Sequence, residues 1–176
     1  MTDPLPFAIK PLTETVPDAD IDGLAALLID AVDSGASMSF MRGLTAEDAR
    51  AFWLGNTASR APRAVTLVAR DNEGIAGTVH LQPAWAPNQP HRAEIAKLIV
   101  HRRARRRGLG EALMHDIERY AHEAGFTLLT LDTTPGNNAE RLYHRLGWTV
   151  AGTIPGYALD PDGNLSDTVV FWKRPG

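Results

Sequence analysis

The chain has 176 residues, close to the ~150 expected of one ordinary domain, and its 44% hydrophobic and 22% charged residues are the balance of a globular protein rather than a disordered or fibrous one. Eighteen basic against 21 acidic residues leave a net charge of −3, too little positive charge for a general binder of polyanions. The absence of cysteine excludes disulfides, thiolate metal sites and a cysteine nucleophile.

The opening segment Met1 to Pro6 carries no cationic flank and no apolar stretch, so it does not read as a signal peptide. The longest apolar runs, such as Leu24 to Ile29, fall far short of the ~20 residues of a membrane span. One cytoplasmic domain over residues 1–176, with no membrane partner, is the expectation.

Residues 7–12 suggest a first strand, and Ile21, Leu24, Leu28 and Val32 recur at helical spacing until Gly35. The small-residue stretch from Gly35 to Met41 reads as a flexible loop facing substrate. Thr45 is placed to cap a second helix carrying Phe52 and Trp53. Segments 63–70 and 75–81, joined by Asp71-Asn72-Glu73-Gly74, read as a hairpin.

A loop containing Pro83, Pro87 and Pro90 precedes an apolar strand over 92–100, interrupted by Glu94 and Lys97. Next comes His101-Arg102-Arg103-Ala104-Arg105-Arg106-Arg107-Gly108-Leu109-Gly110, and then a helix marked by Leu113, Ile117, Tyr120 and Ala124 and closed by Gly125. A strand over 126–131 ending at Asp132, a short helix over 138–146 stopped by Gly147, and extended segments 148–158 and 168–172 around the turn Asp160-Pro161-Asp162-Gly163 complete the chain.

The order strand, basic glycine turn, helix carries the chemistry. A helix start presents backbone N–H groups without intrahelical partners, and the helix dipole adds positive potential there. Gly108 and Gly110 let a ligand approach the backbone, while Arg105, Arg106 and Arg107 add positive charge, which suits a pyrophosphate. The turn lacks the Lys-Ser/Thr ending of a P-loop. A merely solvated basic turn is the bland alternative. A nucleic-acid contact is the competing one, disfavoured because the run has no interleaved aromatics for base stacking and the chain is net acidic.

The pattern Arg105-Arg106-Arg107-Gly108-Leu109-Gly110 resembles the phosphate turn of the GNAT superfamily of N-acetyltransferases. The run Ala139-Glu140-Arg141-Leu142-Tyr143-His144-Arg145-Leu146-Gly147-Trp148 resembles that family's second motif, with its tyrosine and Gly-aromatic ending. The resemblance implies an α+β fold with a mixed, mostly antiparallel central sheet flanked by helices. It also implies acetyl-CoA as cosubstrate, no metal, and a small-molecule amine as acceptor, in a monomer or a homodimer. By the same resemblance Leu98, Ile99 and Val100 line the pantetheine arm and offer a backbone N–H to the developing oxyanion. Asn137 or Asn138 stands in for a cofactor-contacting asparagine, because Gly136 occupies the usual position. A catalytically silent acyl-CoA sensor is the alternative of a different class.

Acetyl transfer needs a neutral amine, yet an amine of pKa ~10.4 is only about 0.1% neutral near pH ~7.4, a cost of roughly 4 kcal/mol. Glu94 and Asp132 are the candidate bases, since the resemblance sets their strands side by side. An ion pair of Glu94 with Arg92, and a turn contact of Asp132 near Thr133 and Thr134, are the structural alternatives. Tyr143, a phenol still protonated at neutral pH, is the candidate acid for the departing sulfur. Packing of its helix face is the structural alternative. Lys97 reads as a partner balancing Glu94, and His115, Glu118 and His122 as a solvated helix face rather than a zinc site. Trp85 reads as a partly buried aromatic or a cover for the acceptor.

Overall fold

The computed structural model describes residues 6–12, 15–58 and 61–176. Its strands are β1 (Ala8–Pro11), β2 (Val65–Asp71), β3 (Gly74–Pro83), β4 (Arg92–Val100), β5 (Leu128–Thr133), β6 (Thr149–Leu159) and β7 (Leu165–Lys173). Its α-helices are α1 (Asp18–Asp33), α2 (Ala46–Ala58), α3 (Leu109–Glu123) and α4 (Asn138–Arg145). The strands form one sheet in the order β1-β2-β3-β4-β5-β7-β6. Every neighbouring pair is antiparallel except β4 and β5, which run parallel. The fold is therefore the α+β, mostly antiparallel arrangement expected.

Two apolar layers hold the sheet. On one face α1 buries Ile21, Leu24, Leu28 and Val32, the helical-period residues of the sequence, together with Trp53 of α2, against Val68, Ile75 and Ile99. On the other, Leu109, Leu113, Met114 and Ile117 of α3 pack with Leu142 and Tyr143 of α4 on Leu67, Val79, Ile95, Leu131 and Phe171. Thr45 caps α2 as expected: its Oγ1 accepts the Asp48 N–H at 3.1 Å and donates to Asp48 Oδ2 at 2.7 Å.

Three helices stop in the same way. After α1, α3 and α4 comes a glycine at positive φ, namely Gly35, Gly125 and Gly147. The next residue reaches back to the carbonyl five positions earlier, as Trp148 N does to Tyr143 O at 3.0 Å. This geometry revises one strand. Phe126, expected to begin β5, completes the exit of α3 with its N–H on Ala121 O and lies buried, so the strand runs two residues later and contains Asp132 and Thr133.

The α3 face corrects a second expectation. Glu118 is buried, accepting the Trp148 indole N–H at 2.8 Å and pairing with Lys173 Nζ at 2.6 Å. It ties α3 to the sheet rather than standing on a solvated face. Among the described residues no acidic or histidine cluster is arranged to hold a metal ion, and no helix is long and apolar enough to cross a membrane.

Candidate active site

The parallel pair β4 and β5 is short. Residues Arg92, Ala93 and Glu94 pair with Leu128, Leu129 and Thr130, and there the register ends. Beyond Glu94 the two strands part, leaving the β4 edge from Ile95 to Val100 without a strand partner on that side. An unpaired edge is a template for an extended ligand, whose amides can replace the missing strand.

The split coincides with an irregularity. Opposite β3, Thr78 pairs with Ile99 while His80 pairs with Ala96, so β4 carries one extra residue between them. Lys97 in that bulge has φ +52°. The extra residue reverses the alternation of side chains. Ala93 and Ile95 face the α3 layer before the bulge; after it Leu98 and Val100 do, and Ile99 turns to the α1 layer.

At the end of the β4 edge lies the basic glycine turn. Arg102 to Ala104 form a single 3-10 turn, and α3 begins at Leu109 behind Gly108 at φ +79°. Arg106 also has positive φ, +60°. The N–H groups of Leu109, Gly110 and Glu111 have no intrahelical acceptor, as at any helix start, whereas Ala112 N already bonds Gly108 O. Two close approaches seat this helix start. A Cβ on Gly77 would come 3.0 Å from Ile99 O and 3.2 Å from Leu109 Cδ2, and one on Gly110 would come 3.5 Å from Leu142.

The arginines of the turn have separate tasks. Arg102 pairs with Asp30, and Arg103 with Asp71 and the Ile75 carbonyl. Arg105 donates to Val100 O at 3.1 Å and Ser34 Oγ at 2.7 Å, and Arg107 stacks over the Phe7 ring. The side chain of Arg105 thus braces the turn against the end of α1. A pyrophosphate-bearing thioester fits this region, because free N–H groups, a left-handed glycine and an unpaired strand edge are continuous.

Glu94, Thr130 and Asp132 stand on the sheet face opposite the buried Ala93, Leu129 and Leu131. Both carboxylates are exposed to the cleft. Burial against the sheet, then the charge of Asp132, push the Glu94 carboxyl above its ordinary range, with Arg92 and Lys97 opposing. Asp132 accepts a 2.6 Å hydrogen bond from Thr168 Oγ1 of β7. The Arg92 guanidinium bonds Gln89 and Thr130 instead of forming a salt bridge with Glu94.

Lys97 likewise forms no contact ion pair with Glu94. Its Nζ donates to Met38 O at 3.3 Å and Ser39 Oγ at 3.0 Å, and burial lowers its pKa. The 35–41 loop is pinned from the far side as well: Arg42 Nε and Nη2 reach Asp162 at 2.6 and 3.0 Å, and Arg42 N bonds Pro161 O. Rather than hanging free, this segment bridges from β4 to the β6–β7 turn. Trp85 is 92% exposed, contrary to a partly buried aromatic.

Tyr143 comes from the α3 side of the sheet. Its ring packs on Trp148 and Phe171 at centroid distances of 6.2 and 5.7 Å. Burial, then the charge of Asp132, push its phenol well above the ordinary value. Asn137 caps α4, its Oδ1 accepting from Glu140 N and its Nδ2 donating to Thr133 Oγ1, both at 2.8 Å. Asn138 Oδ1 accepts from Arg141 at 2.6 Å. Both asparagine side chains are therefore engaged within the protein. Sequence reasoning passed over Thr168, Gln82 and His80 on the cleft face; only the strand register reveals them.

Comparison with known proteins agrees with this geometry. A GCN5-related N-acetyltransferase from Kribbella flavida is similar at 26% identity and a TM-score of 0.77, covering 96% of this chain and 98% of that one. A ribosomal-protein-alanine N-acetyltransferase from Brucella melitensis shares 24% identity and a TM-score of 0.76 over 95% and 99%. A phosphinothricin acetyltransferase from Sinorhizobium meliloti, in complex with acetyl-CoA, shares 16% identity and a TM-score of 0.78 over 97% and 89%. The acetyltransferase (GNAT) family model matches residues 30–148, which include the split strands, the glycine turn and Tyr143. The chain belongs to the acetyltransferase (GNAT) family and is an acetyl-CoA-dependent N-acetyltransferase.

Proposed function

We propose that residues 1–176 form one N-acetyltransferase domain that acetylates the amine of a small, polar, amino-acid-like molecule of the toxin or antibiotic kind. The observation that carries this reading is the convergence of Glu94 and Asp132 on the open sheet face, beside the split of β4 and β5. Similarity to the tabtoxin resistance protein supports the acceptor class, through runs such as Arg92-Ala93-Glu94, Lys97-Leu98, Leu131-Asp132-Thr133 and Pro155-Gly156-Tyr157.

In this reading the turn from Arg105 to Gly110 holds the pyrophosphate with its backbone N–H groups, and Leu98 to Val100 align the pantetheine arm along the open β4 edge. Acetyl-CoA supplies the thioester acetyl group. Glu94, backed by Asp132, takes the proton from the acceptor ammonium, directly or through water, so that the amine lone pair is free to attack. A β4 backbone N–H donates to the carbonyl oxygen as negative charge builds there. The Tyr143 hydroxyl, kept protonated by burial, gives its proton to the departing sulfur. Asn137 and Asn138 border this region through the α4 start.

Thiol release measured against a panel of amines and amino acids tests the acceptor class. Turnover with amino-acid-like amines supports it, and turnover confined to protein N-termini or polyamines overturns it. The paired substitution of Glu94→Gln with Asp132→Asn is expected to abolish turnover while acetyl-CoA still binds by calorimetry. Undiminished turnover removes both from the chemistry.

A further inference from the structure

The ammonium of Lys97 stands in the cleft without a counter-ion in contact. It is held by two neutral oxygens of the 35–41 loop, Met38 O at 3.3 Å and Ser39 Oγ at 3.0 Å. It lies 5.5 Å from the centre of the Phe52 ring, whose edge-to-face neighbour is Phe40. An ammonium carries three N–H donors, so the two loop oxygens leave one unused. Both ends of the Lys97–Ser39 contact have left-handed backbone, with φ +52° and +70°. Side chains other than glycine's adopt that conformation at a cost, and it persists where the surroundings enforce it, most often at ligand sites.

The carboxylates of the cleft are near this ammonium rather than on it. Burial disfavours the charged form of Lys97, while Asp132 and then Glu94 favour it. In return Lys97 is among the charges that oppose the rise of the Glu94 pKa. The cleft therefore sets two anions at the split of β4 and β5 and one cation further along β4, toward Leu98. A partly buried ammonium with only neutral contacts is under-compensated. This pattern is complementary to a zwitterion, and an α-amino acid carries its ammonium and its carboxylate on the same carbon. The other cation of this face, Arg92, sits at the closed end, where β4 still pairs with β5, and its guanidinium is engaged by Gln89 and Thr130.

We propose that Lys97 recognises the carboxylate of the acceptor, so that the acceptor is a free amino acid or an analogue that keeps both charges. Its ammonium faces Glu94 and Asp132, and its carboxylate accepts from Lys97 Nζ. This rests on the reading of an amino-acid-like acceptor with Glu94 and Asp132 as the base pair. The carboxylate supplies the counter-ion that the ammonium lacks. Met38 and Ser39 hold Nζ in place, and the rings of Phe52 and Phe40 keep water from one side of the pair, which strengthens it.

The test compares each amino acid that turns over with its own carboxamide, which keeps the amine and loses the negative charge. The readout is the ratio of kcat/KM for the acid to that for the carboxamide. Any effect of a variant on Glu94 acts on both substrates and cancels in the ratio. Lys97→Met is expected to lower the ratio about 10- to 100-fold, the scale of a hydrogen bond to a charged group, chiefly through KM for the acid. Lys97→Arg keeps a cation and restores most of it. Ser39→Ala loosens the loop but keeps the ammonium, and leaves the ratio in place. Acetyl-CoA affinity by calorimetry is unchanged in all three. If Lys97→Met fails to fold, Lys97→Gln takes its place, and the ratio of the unaltered protein already favours the acid.

An unaltered protein that does not prefer the acid, or a Lys97→Met variant that loses acid and carboxamide equally, overturns the role of Lys97. Amino acids that still turn over in that case leave the acceptor class standing. Turnover confined to polyamines or protein N-termini, with no free amino acid acetylated, overturns the acceptor class and this proposal together.

Discussion

Thr168 Oγ1 donates a 2.6 Å hydrogen bond to Asp132, and Asp132 in turn faces Glu94 across the place where β4 and β5 separate. The carboxylate on β5 is thereby fixed by β7, its antiparallel neighbour, while its charge raises the Glu94 carboxyl. A base with a raised pKa takes a proton from an ammonium more readily, but it stays protonated and idle over more of the acidic range.

The pH dependence follows in sign. Glu94 must be ionised to act, so kcat/KM rises as pH increases through its raised pKa. Asp132→Asn removes the like charge and lowers that pKa, so the acidic limb moves to lower pH even where the plateau falls. A pH–rate profile of this variant checks it, and an upward shift contradicts the assignment.

Tyr143→Phe removes only the hydroxyl and leaves the ring between Trp148 and Phe171. Turnover is expected to drop about 100-fold, the scale of a lost general acid, with little change in melting temperature. Tyr143→Ala instead costs about 3–5 kcal/mol of stability through the lost ring. Steady-state rates and denaturant unfolding separate the two effects.

Gly77 lets the first turn of α3 rest on the sheet, since an added Cβ meets the Ile99 carbonyl at 3.0 Å and Leu113 Cδ1 at 3.1 Å. Gly77→Ala is expected to cost about 1–3 kcal/mol by overpacking. It also weakens acetyl-CoA binding, because the helix start that carries the free N–H groups is displaced. Calorimetric titration and denaturant unfolding give both numbers. Unchanged affinity would mean that the turn holds its shape independently of this contact.

Arg42→Ala releases the segment that bridges Lys97 and Asp162. The Arg42–Asp162 pair is roughly half exposed on both sides, 47% and 54%, so its loss costs stability only about 0–1 kcal/mol. The KM for the acceptor is expected to rise while acetyl-CoA affinity holds. Kinetics with each substrate varied in turn distinguishes this from general damage.

Local signals in the chain were enough to read the glycine turn, the capping threonine, the helix exits at Gly35, Gly125 and Gly147, and the apolar faces of α1 and α3. They depend on φ preferences and on side-chain spacing within a few residues, and the family resemblance of the turn and of the Tyr143 run rests on the same local chemistry. Glu94 and Lys97 stood out because a charge in an apolar strand needs a partner or a task, while Asp132, at a strand end, was reached only through the family resemblance.

Which partner or task was decided by the tertiary structure. The one-residue bulge at Lys97 leaves no mark on composition, yet it reverses which side chains of β4 face each layer. It accompanies the separation from β5 and sends Lys97 to Ser39 rather than to Glu94. Glu118 read as a surface residue because its helix neighbours are polar; it is buried because Trp148 and Lys173, 30 and 55 residues away, bring it a donor and a cation. Spacing along one element fixes a side chain's direction relative to that element alone. What it meets depends on strand register and chain crossing, and these are set by the packing of all seven strands together.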